Sequence, residues 1–340
     1  MGSVKDLVIL KEAKGKKSGI GRFVFSDRYS VFDWGEMPDH IENKGKSICI
    51  VTAFFFEELE KIGIKTHYMG LLEDGELKNL KDLREASNIL GMKLLRVLKP
   101  TVINGKYDYS IYKKERVNFL IPLEVIYRNS LPEGSSVFKR LKEGTLRLED
   151  LNLKEMPKPG DFLESPIIDF STKLEATDRY LRIEEAKEIA GLSDDEMERI
   201  KDISMKVNSI ITEKTRSIGL SNEDGKFEFG FDEKRNLLLV DALGTLDECR
   251  FTYDGIPVSK EIARIYYRKT DWFEDLENAK KTDKINWKSI VKKSPPPLPT
   301  ELKESISLIY QAYANEITGR EWFKAPPLRE ILEKVKKFIK

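Results

Sequence analysis

Short runs rich in apolar and β-branched residues punctuate the first third of the chain: DLVIL (6–10), GRFVF (21–25) and FLIPLEVIYR (119–128). Separated by turn-forming residues, they predict β-strands. Between them, TAFFFEELEKIG (52–63) carries helical spacing and stops at Gly63, a residue suited to a left-handed helix end. Residues 1–125 therefore predict a sheet-rich lobe with one helix. The stretch NGKYDYSIYKKERVN (104–118) predicts a hairpin with an exposed polar tip, because insertions of this composition lie on surfaces.

Residues 126–340 change character. A Pro/Gly/Lys-rich stretch over 141–162 predicts a connecting loop. IEEAKEIAGLSDDEMERIKDISMKVNSIITEKTRSIG (183–219) then repeats apolar residues at i, i+3 and i+4, with Ser193 and Glu196 spaced as a capping box in its middle. Two consecutive helices fit that pattern. KFEFGFDEKRNLLLVDAL (226–243) alternates apolar and polar residues around the turn Asp232-Glu233-Lys234-Arg235-Asn236, which predicts a β-hairpin. SPPPLP (294–299) breaks structure ahead of an amphipathic helix ending at Gly319. The basic tail LREILEKVKKFIK suits a packed or a solvated helix equally.

With 340 residues, 40% of them hydrophobic, the chain has more than one compact domain usually needs. The expected class is α+β in two lobes. Lys and Arg number 59 against 58 Asp and Glu, a formal charge of +1, so no global field recruits nucleic acid or an anionic membrane. Two cysteines without CxxC spacing and only two histidines exclude a disulfide framework and a thiolate zinc site. No apolar run reaches the roughly 18 residues of a membrane span, and the start lacks signal-peptide character; a cytoplasmic protein is expected. Charged residues make up 34%, and Gln311 is the only glutamine, a composition leaning toward a thermophile.

Three clusters carry candidate chemistry. In the predicted 226–243 hairpin, Lys226 and Glu228 share a strand face and Asp241 lies on the returning strand. Opposed carboxylates repel, and an oxygen-only pair suits Mg²⁺; the same pair also suits a solvated outer face. Near the N-terminus, Lys14, Lys16 and Lys17 alternate with Gly15, Gly19 and Gly21 in a turn. Glycines admit backbone N–H groups to a phosphate and lysines add charge, although Walker A spacing is missing and an ordinary hairpin tip reads alike. The third cluster, RNSLPEGSSVFKR (128–140), offers Arg128, Ser135, Ser136, Lys139 and Arg140 to a phosphate or carboxylate, or simply opens a basic helix. Phe227, Phe229, Phe231 and Leu239 read as core, His40 and His67 as structural, and Cys249 as a small packed residue.

In order and spacing these segments resemble the SAICAR synthetase family. SDRYSVFD (26–33), ENKG (42–45), LEVIYRNSLPEGS (123–135), SPIIDFSTKLEATD (165–178), DGKFEFGFD (224–232) and VSKEIAR (258–264) each resemble a family segment, and the likeness runs over about residues 8–320. It implies a two-lobed fold related to ATP-grasp enzymes, with antiparallel sheets, flanking helices and ATP in a cleft between lobes. The implied lobes are 1–125 for nucleotide and 126–340 for substrate and metal. The implied reaction is ATP-dependent joining of the carboxylate of carboxyaminoimidazole ribotide to the amine of L-aspartate, by way of an acyl phosphate. By the same resemblance, Lys14 and Lys16 approach the phosphates, and Glu228 and Asp241 hold Mg²⁺. Arg128, Ser135 and Arg250 grip the ribotide, and Lys226 touches phosphate or substrate. Asp178, Lys260 and Arg264 line the cleft near aspartate or the ribotide phosphate. Self-association stays open.

Three positions depart from the family pattern: Ala242 where a Glu follows the Asp, Cys249 where a Ser precedes the Arg, and Thr177 where a His precedes the Asp. They keep open a paralogue acting on another acid or amine, and a nucleotide-binding protein without catalysis.

Overall fold

The computed structural model describes residues 4–132, 134–151, 153–284 and 286–339. It is an α+β protein built on two antiparallel sheets. The first joins β1 (Lys5–Lys11), β2 (Gly19–Phe25), β3 (Tyr68–Glu73), β4 (Glu76–Lys78) and β5 (Ile89–Leu94) in the order β1-β2-β5-β3-β4. Helix α1 (Lys44–Lys61) lies between β2 and β3. It begins well before the expected position 52, because Ile48, Cys49, Ile50 and Val51 are all buried. Packing on several sides favours a helix there over the strand that β-branched residues prefer.

A small hairpin, β6 (Thr101–Ile103) with β7 (Lys106–Asp108), precedes the short helix α2 (Ser110–Lys114). The expected hairpin thus occupies only 101–108. Asp108 accepts a hydrogen bond from the Ser110 backbone N–H at 2.9 Å, a side-chain turn that starts α2 instead of extending the strand.

The second sheet is laid down by β8 (Phe119–Ser130), β9 (Phe162–Thr172), β10 (Tyr180–Leu181), β11 (Ser221–Phe231), β12 (Leu237–Val240), β13 (Cys249–Tyr253) and β14 (Ile256–Pro257). Its order is β10-β9-β8-β11-β13-β14, with β12 also paired to β11. Position 125 lies inside β8, so the change of sheet occurs before residue 119. Among the helices are α3 (Ser136–Lys142), α4 (Ile183–Ala190), α5 (Asp194–Ser217), α6 (Glu261–Tyr267), α7 (Asp271–Thr282), α8 (Trp287–Ile290), α9 (Thr300–Thr318) and α10 (Leu328–Ile339). The break between α4 and α5 carries the anticipated capping box of Ser193 and Glu196.

One hydrophobic core runs through both sheets and the C-terminal helices, from Phe25 through Phe227 to Val335. Phe227, Phe229, Phe231 and Leu239 belong to it, as their alternation implied. In α10, Leu328, Ile331, Leu332 and Val335 are buried, which makes the basic tail a packed helix. Cys49 and Cys249 are free and buried. Among the described residues no helix is long and apolar enough to cross a membrane.

Candidate active site

Cross-strand partners in a sheet share a face, and faces alternate along each strand. Three rows on one face of the second sheet therefore belong together: Arg128, Asp224 and Arg250; Asp169 and Lys226; Ser171, Glu124 and Glu228. The intervening row, Tyr127, Gly225 and Cys249, faces the opposite way. Tyr127 lies across Gly225 and donates from its hydroxyl to Asn222 Oδ1 at 2.9 Å and Cys249 Sγ at 3.4 Å. Burial first, then the fields of Glu248 and Asp224, push the Cys249 thiol up to about 12 despite that hydrogen bond. Cys249 is thus a packed residue on the core side, as its isolation in the sequence suggested.

At one end of the charged face stands a guanidinium cluster. Arg128 is 2% exposed and donates to Asp169 at 3.0 Å, with Asp224 at 3.6 Å and Ser136 Oγ at 3.2 Å. Arg140 reaches the same Asp169 carboxylate at 2.5 Å, its guanidinium 4.4 Å from the centre of the Tyr180 ring. Arg250 grips Asp224 with two nitrogens, Nε at 2.7 Å. Ser135 stands beside this cluster as the N-cap of α3, accepting from the Val137 N–H at 3.4 Å, while Ser136 makes the contact to Arg128. Guanidinium forks held rigidly by buried carboxylates form a preorganised site for a planar or tetrahedral anion.

At the other end the expected hairpin forms, but its returning strand stops at Val240, so Asp241 lies just past it and not on it. Glu228 pairs with Val240, so Asp241 follows directly beside it. Asp241 turns the chain with φ 72, a left-handed conformation that Asp tolerates better than most residues. Burial raises the Glu228 carboxyl well above its usual range, the nearby Asp241 charge adds to this, and Lys173 and Lys5 oppose. Burial also opposes ionisation of Asp241, yet Lys5 and Lys173 hold it below its usual range. Lys173 binds Glu228, and Lys5 binds Asp241 at 2.6 Å.

Lys226 bridges the two ends, bonding Glu124 at 2.7 Å with Glu248 at 3.8 Å. Glu124 faces Glu228 directly across the ladder, and Lys226 offsets the charge of this opposed pair. Asp178 sits within the field of this group: burial and then Glu124 lift its carboxyl to about 6, against Lys226 and Lys173. Lys260 begins α6 behind Asp247 and Glu248. Burial lowers its ammonium from the usual range, with those two carboxylates opposing. Arg264, one turn on, binds Glu261 at 3.2 Å.

Lys14 and Lys16 lie elsewhere. The tip of the β1–β2 hairpin docks on the β11–β12 turn: the Ser18 N–H donates to Glu233 at 2.7 Å, and Asn118 donates to the Gly15 and Lys17 carbonyls at 3.0 and 2.7 Å. Lys14, with 79% of its side chain exposed, binds Glu12 at 2.9 Å, and Lys16 is exposed. The opposite end of β1 supplies Lys5 to the carboxylates instead. Sequence reasoning did not single out Lys5, Lys173, Glu124, Asp169 or Asp224. Lys173 and Asp169 sit within SPIIDFSTKLEATD, whereas Lys5 opens a plain apolar strand and carries no local signal.

The donor chemistry suits Mg²⁺. Glu228 and Asp241 are hard oxygen ligands, and this ion is commonly held by one or two carboxylates, its other positions filled by water and phosphate. Among the described residues no set of three or more His, Cys, Asp and Glu forms a metal cage.

Known proteins resemble this chain over most of its length. The family model described as SAICAR synthetase matches residues 13–280. A protein of Archaeoglobus fulgidus named putative phosphoribosylaminoimidazole-succinocarboxamide synthase is 53% identical over 339 residues, covering 100% of both chains. Among solved structures, a type-2 SAICAR synthetase in complex with ADP aligns with TM-score 0.56 at 24% identity, over 87% of this chain and 99% of that one. The SAICAR synthase of Saccharomyces cerevisiae, complexed with SAICAR, aligns with TM-score 0.58 at 23% identity, over 92% and 96%.

Proposed function

Because the chain belongs to the SAICAR synthetase family, we propose that the charged face of its second sheet is the site of that family's reaction. The reaction is the ATP-dependent joining of the carboxylate of carboxyaminoimidazole ribotide to the amine of L-aspartate. The observation that carries this placement is the position of Arg128, Arg250 and Glu228 on one face of the second sheet, with Asp241 just past the end of β12 and its charge acting on Glu228.

A carboxylate resists attack by an amine until one oxygen becomes a leaving group, which phosphoryl transfer from ATP supplies through an acyl phosphate. The nucleotide lies between the two sheets in this reading, and a structural neighbour described as complexed with ADP supports nucleotide binding. Glu228 and Asp241 hold Mg²⁺, which neutralises phosphate charge when bound. Arg128 and Arg250, fixed by Asp169 and Asp224, orient the ribotide. Lys226 stands between the two ends of the site and neutralises charge on the transferring group. Lys260, half-buried with its ammonium held down by desolvation, and Arg264 receive the carboxylates of aspartate, with Asp178 alongside. Charge neutralisation and positioning are the main demands of phosphoryl transfer, and these residues meet them without histidine.

Of the three departures, Cys249 faces the core and so presents no altered group to the ribotide end. Purified protein given ATP, Mg²⁺, L-aspartate and the carboxylated ribotide is expected to release ADP in step with amide formation. Turnover with another amino acid but none with aspartate would assign the chain to a paralogous ligase. Nucleotide binding without turnover would leave a non-catalytic protein.

A further inference from the structure

The β6–β7 hairpin projects from the surface with Val102 and Ile103 exposed, yet it is tied to the loop that carries Asp178. That loop, residues 173–179, joins β9 to β10. It closes where the Thr172 N–H donates to the Arg179 carbonyl at 2.9 Å and the Arg179 N–H donates to Thr172 Oγ1 at 3.0 Å. Lys173, at its start, binds Glu228, while Asp178, near its end, lies in the field of Glu124, Lys226 and Lys173. Both ends reach the charged face only if the loop keeps one shape.

Residues 174–178 lie beyond the strand ladder. Among the described residues, the hydrogen bonds that reach them from outside the loop come from two tyrosines. The Ala176 N–H donates to the Tyr107 hydroxyl at 2.8 Å, and the Tyr109 hydroxyl donates to Glu175 Oε1 at 2.8 Å. Tyr109 is buried, with its ring 6.1 Å from that of Tyr112, which donates to the Leu98 carbonyl and packs edge-on against Phe119 of β8. Glu175 also accepts from Arg179 at 3.3 Å, and Arg179 reaches Glu185 of α4 at 2.6 Å. Tyr109 thus anchors one side of the loop on the core, whereas the Tyr107 hydroxyl meets the backbone at its tip. Ala176 is exposed, so water can replace that hydroxyl at little cost in stability. What its loss removes is the fixed position of the tip, whose ordering then opposes every binding event.

We propose that Tyr107 is a positioning residue for the ligase: by accepting the Ala176 N–H it holds the 174–178 tip in the shape that presents Asp178 to the amine substrate. A segment with the composition of a surface projection then serves the site. This role rests on the ligase reading above, with Asp178 next to L-aspartate.

Steady-state kinetics of the full chain test it, with L-aspartate varied at saturating MgATP and ribotide, then MgATP varied at saturating aspartate. Tyr107→Phe, which keeps the ring, is expected to raise the KM for L-aspartate about fivefold, the worth of one neutral hydrogen bond, with kcat and the KM for MgATP within about twofold of wild type. Its melting temperature is expected to match wild type. Ile103→Ser, on the exposed part of the same hairpin, is expected to leave all three constants unchanged. An unchanged aspartate KM in Tyr107→Phe, a parallel rise in both KM values, or an equal rise in Ile103→Ser overturns the proposal and leaves Tyr107 a structural residue. Wild type without aspartate-dependent ADP release overturns the ligase reading itself, and this role with it.

Discussion

Glu228 shows how one side chain's surroundings decide its chemistry. Buried beside Asp241 and bonded to Lys173, it is a carboxylate whose charge is tolerated only because cations surround it. Glu228→Gln retains shape and hydrogen bonding to Lys173 but removes a metal-binding charge. The variant is expected to lose at least about a hundredfold in turnover while its melting temperature stays within a few degrees of wild type. Full Mg²⁺-dependent turnover in a steady-state assay would refute the metal assignment.

His67 offers a pH-dependent test at the same scale. Burial, aided by the charge of Lys5 and opposed by Asp241, holds its imidazole down at about 4 against an ordinary 6.5. Its Nε2 lies 3.3 Å from the Asp241 carbonyl. The unfolded chain thus takes up this proton before the folded one does. The stabilising contribution is complete above pH 6.5 and is lost as pH falls toward 4, by up to roughly 3 kcal/mol. Denaturant titrations at a series of pH values should show this slope in wild type and a flatter one in His67→Gln; identical slopes would count against it.

At the scale of elements, the sheet rows explain why a glycine interrupts an otherwise well-filled strand. A Cβ at Gly225 would meet the Tyr127 hydroxyl at 2.5 Å and its ring at 2.7 Å. Tyr127 crosses that space to reach Asn222, which is bonded in turn to Asn208 and Thr212 of α5. Gly225→Ala is expected to cost roughly 2–3 kcal/mol by overpacking, read as a lower denaturation midpoint. It should also weaken ribotide binding, because Asp224 and Lys226 flank the displaced backbone. A variant as stable as wild type would show that Tyr127 repacks freely.

Element legibility followed the range of the signal. The capping box between α4 and α5, the β11–β12 hairpin and the end of α9 at Gly319 depend on residues within one turn of each other, and each was legible. The start of α1 was not, since burial by α9 and the first sheet outweighs the strand preference of Ile48, Ile50 and Val51. The hairpin at 104–118 was misplaced because one side chain, Asp108, redirects the backbone.

Across the whole molecule, the continuous core predicts a single unfolding event. Helix α9 lies on α1 and sends Tyr310 to Asp247 at 2.5 Å and Tyr313 to the Gly244 carbonyl at 2.7 Å. Asp247 also anchors Lys44 at 2.6 Å, so a helix beyond the family-matched stretch braces the residues beside Glu248. Truncation after residue 298 should abolish the cooperative transition in scanning calorimetry. A truncated chain that melts cooperatively near the wild-type temperature would show that α9 and α10 are dispensable.

The sequence alone determined the α+β class, the strands and helices with strong local periodicity, the β11–β12 hairpin that carries Glu228, and the family. Each depends on near neighbours along the chain or on an ordered set of motifs. Tertiary structure decided which cations meet Glu228 and Asp241. Lys5 and Lys14 lie at opposite ends of one hairpin, and only the docking of one sheet on the other brings Lys5 to Asp241 while leaving Lys14 in solvent. Charge interactions act through space, and the distances that govern them follow from chain packing, which no local pattern of residues encodes.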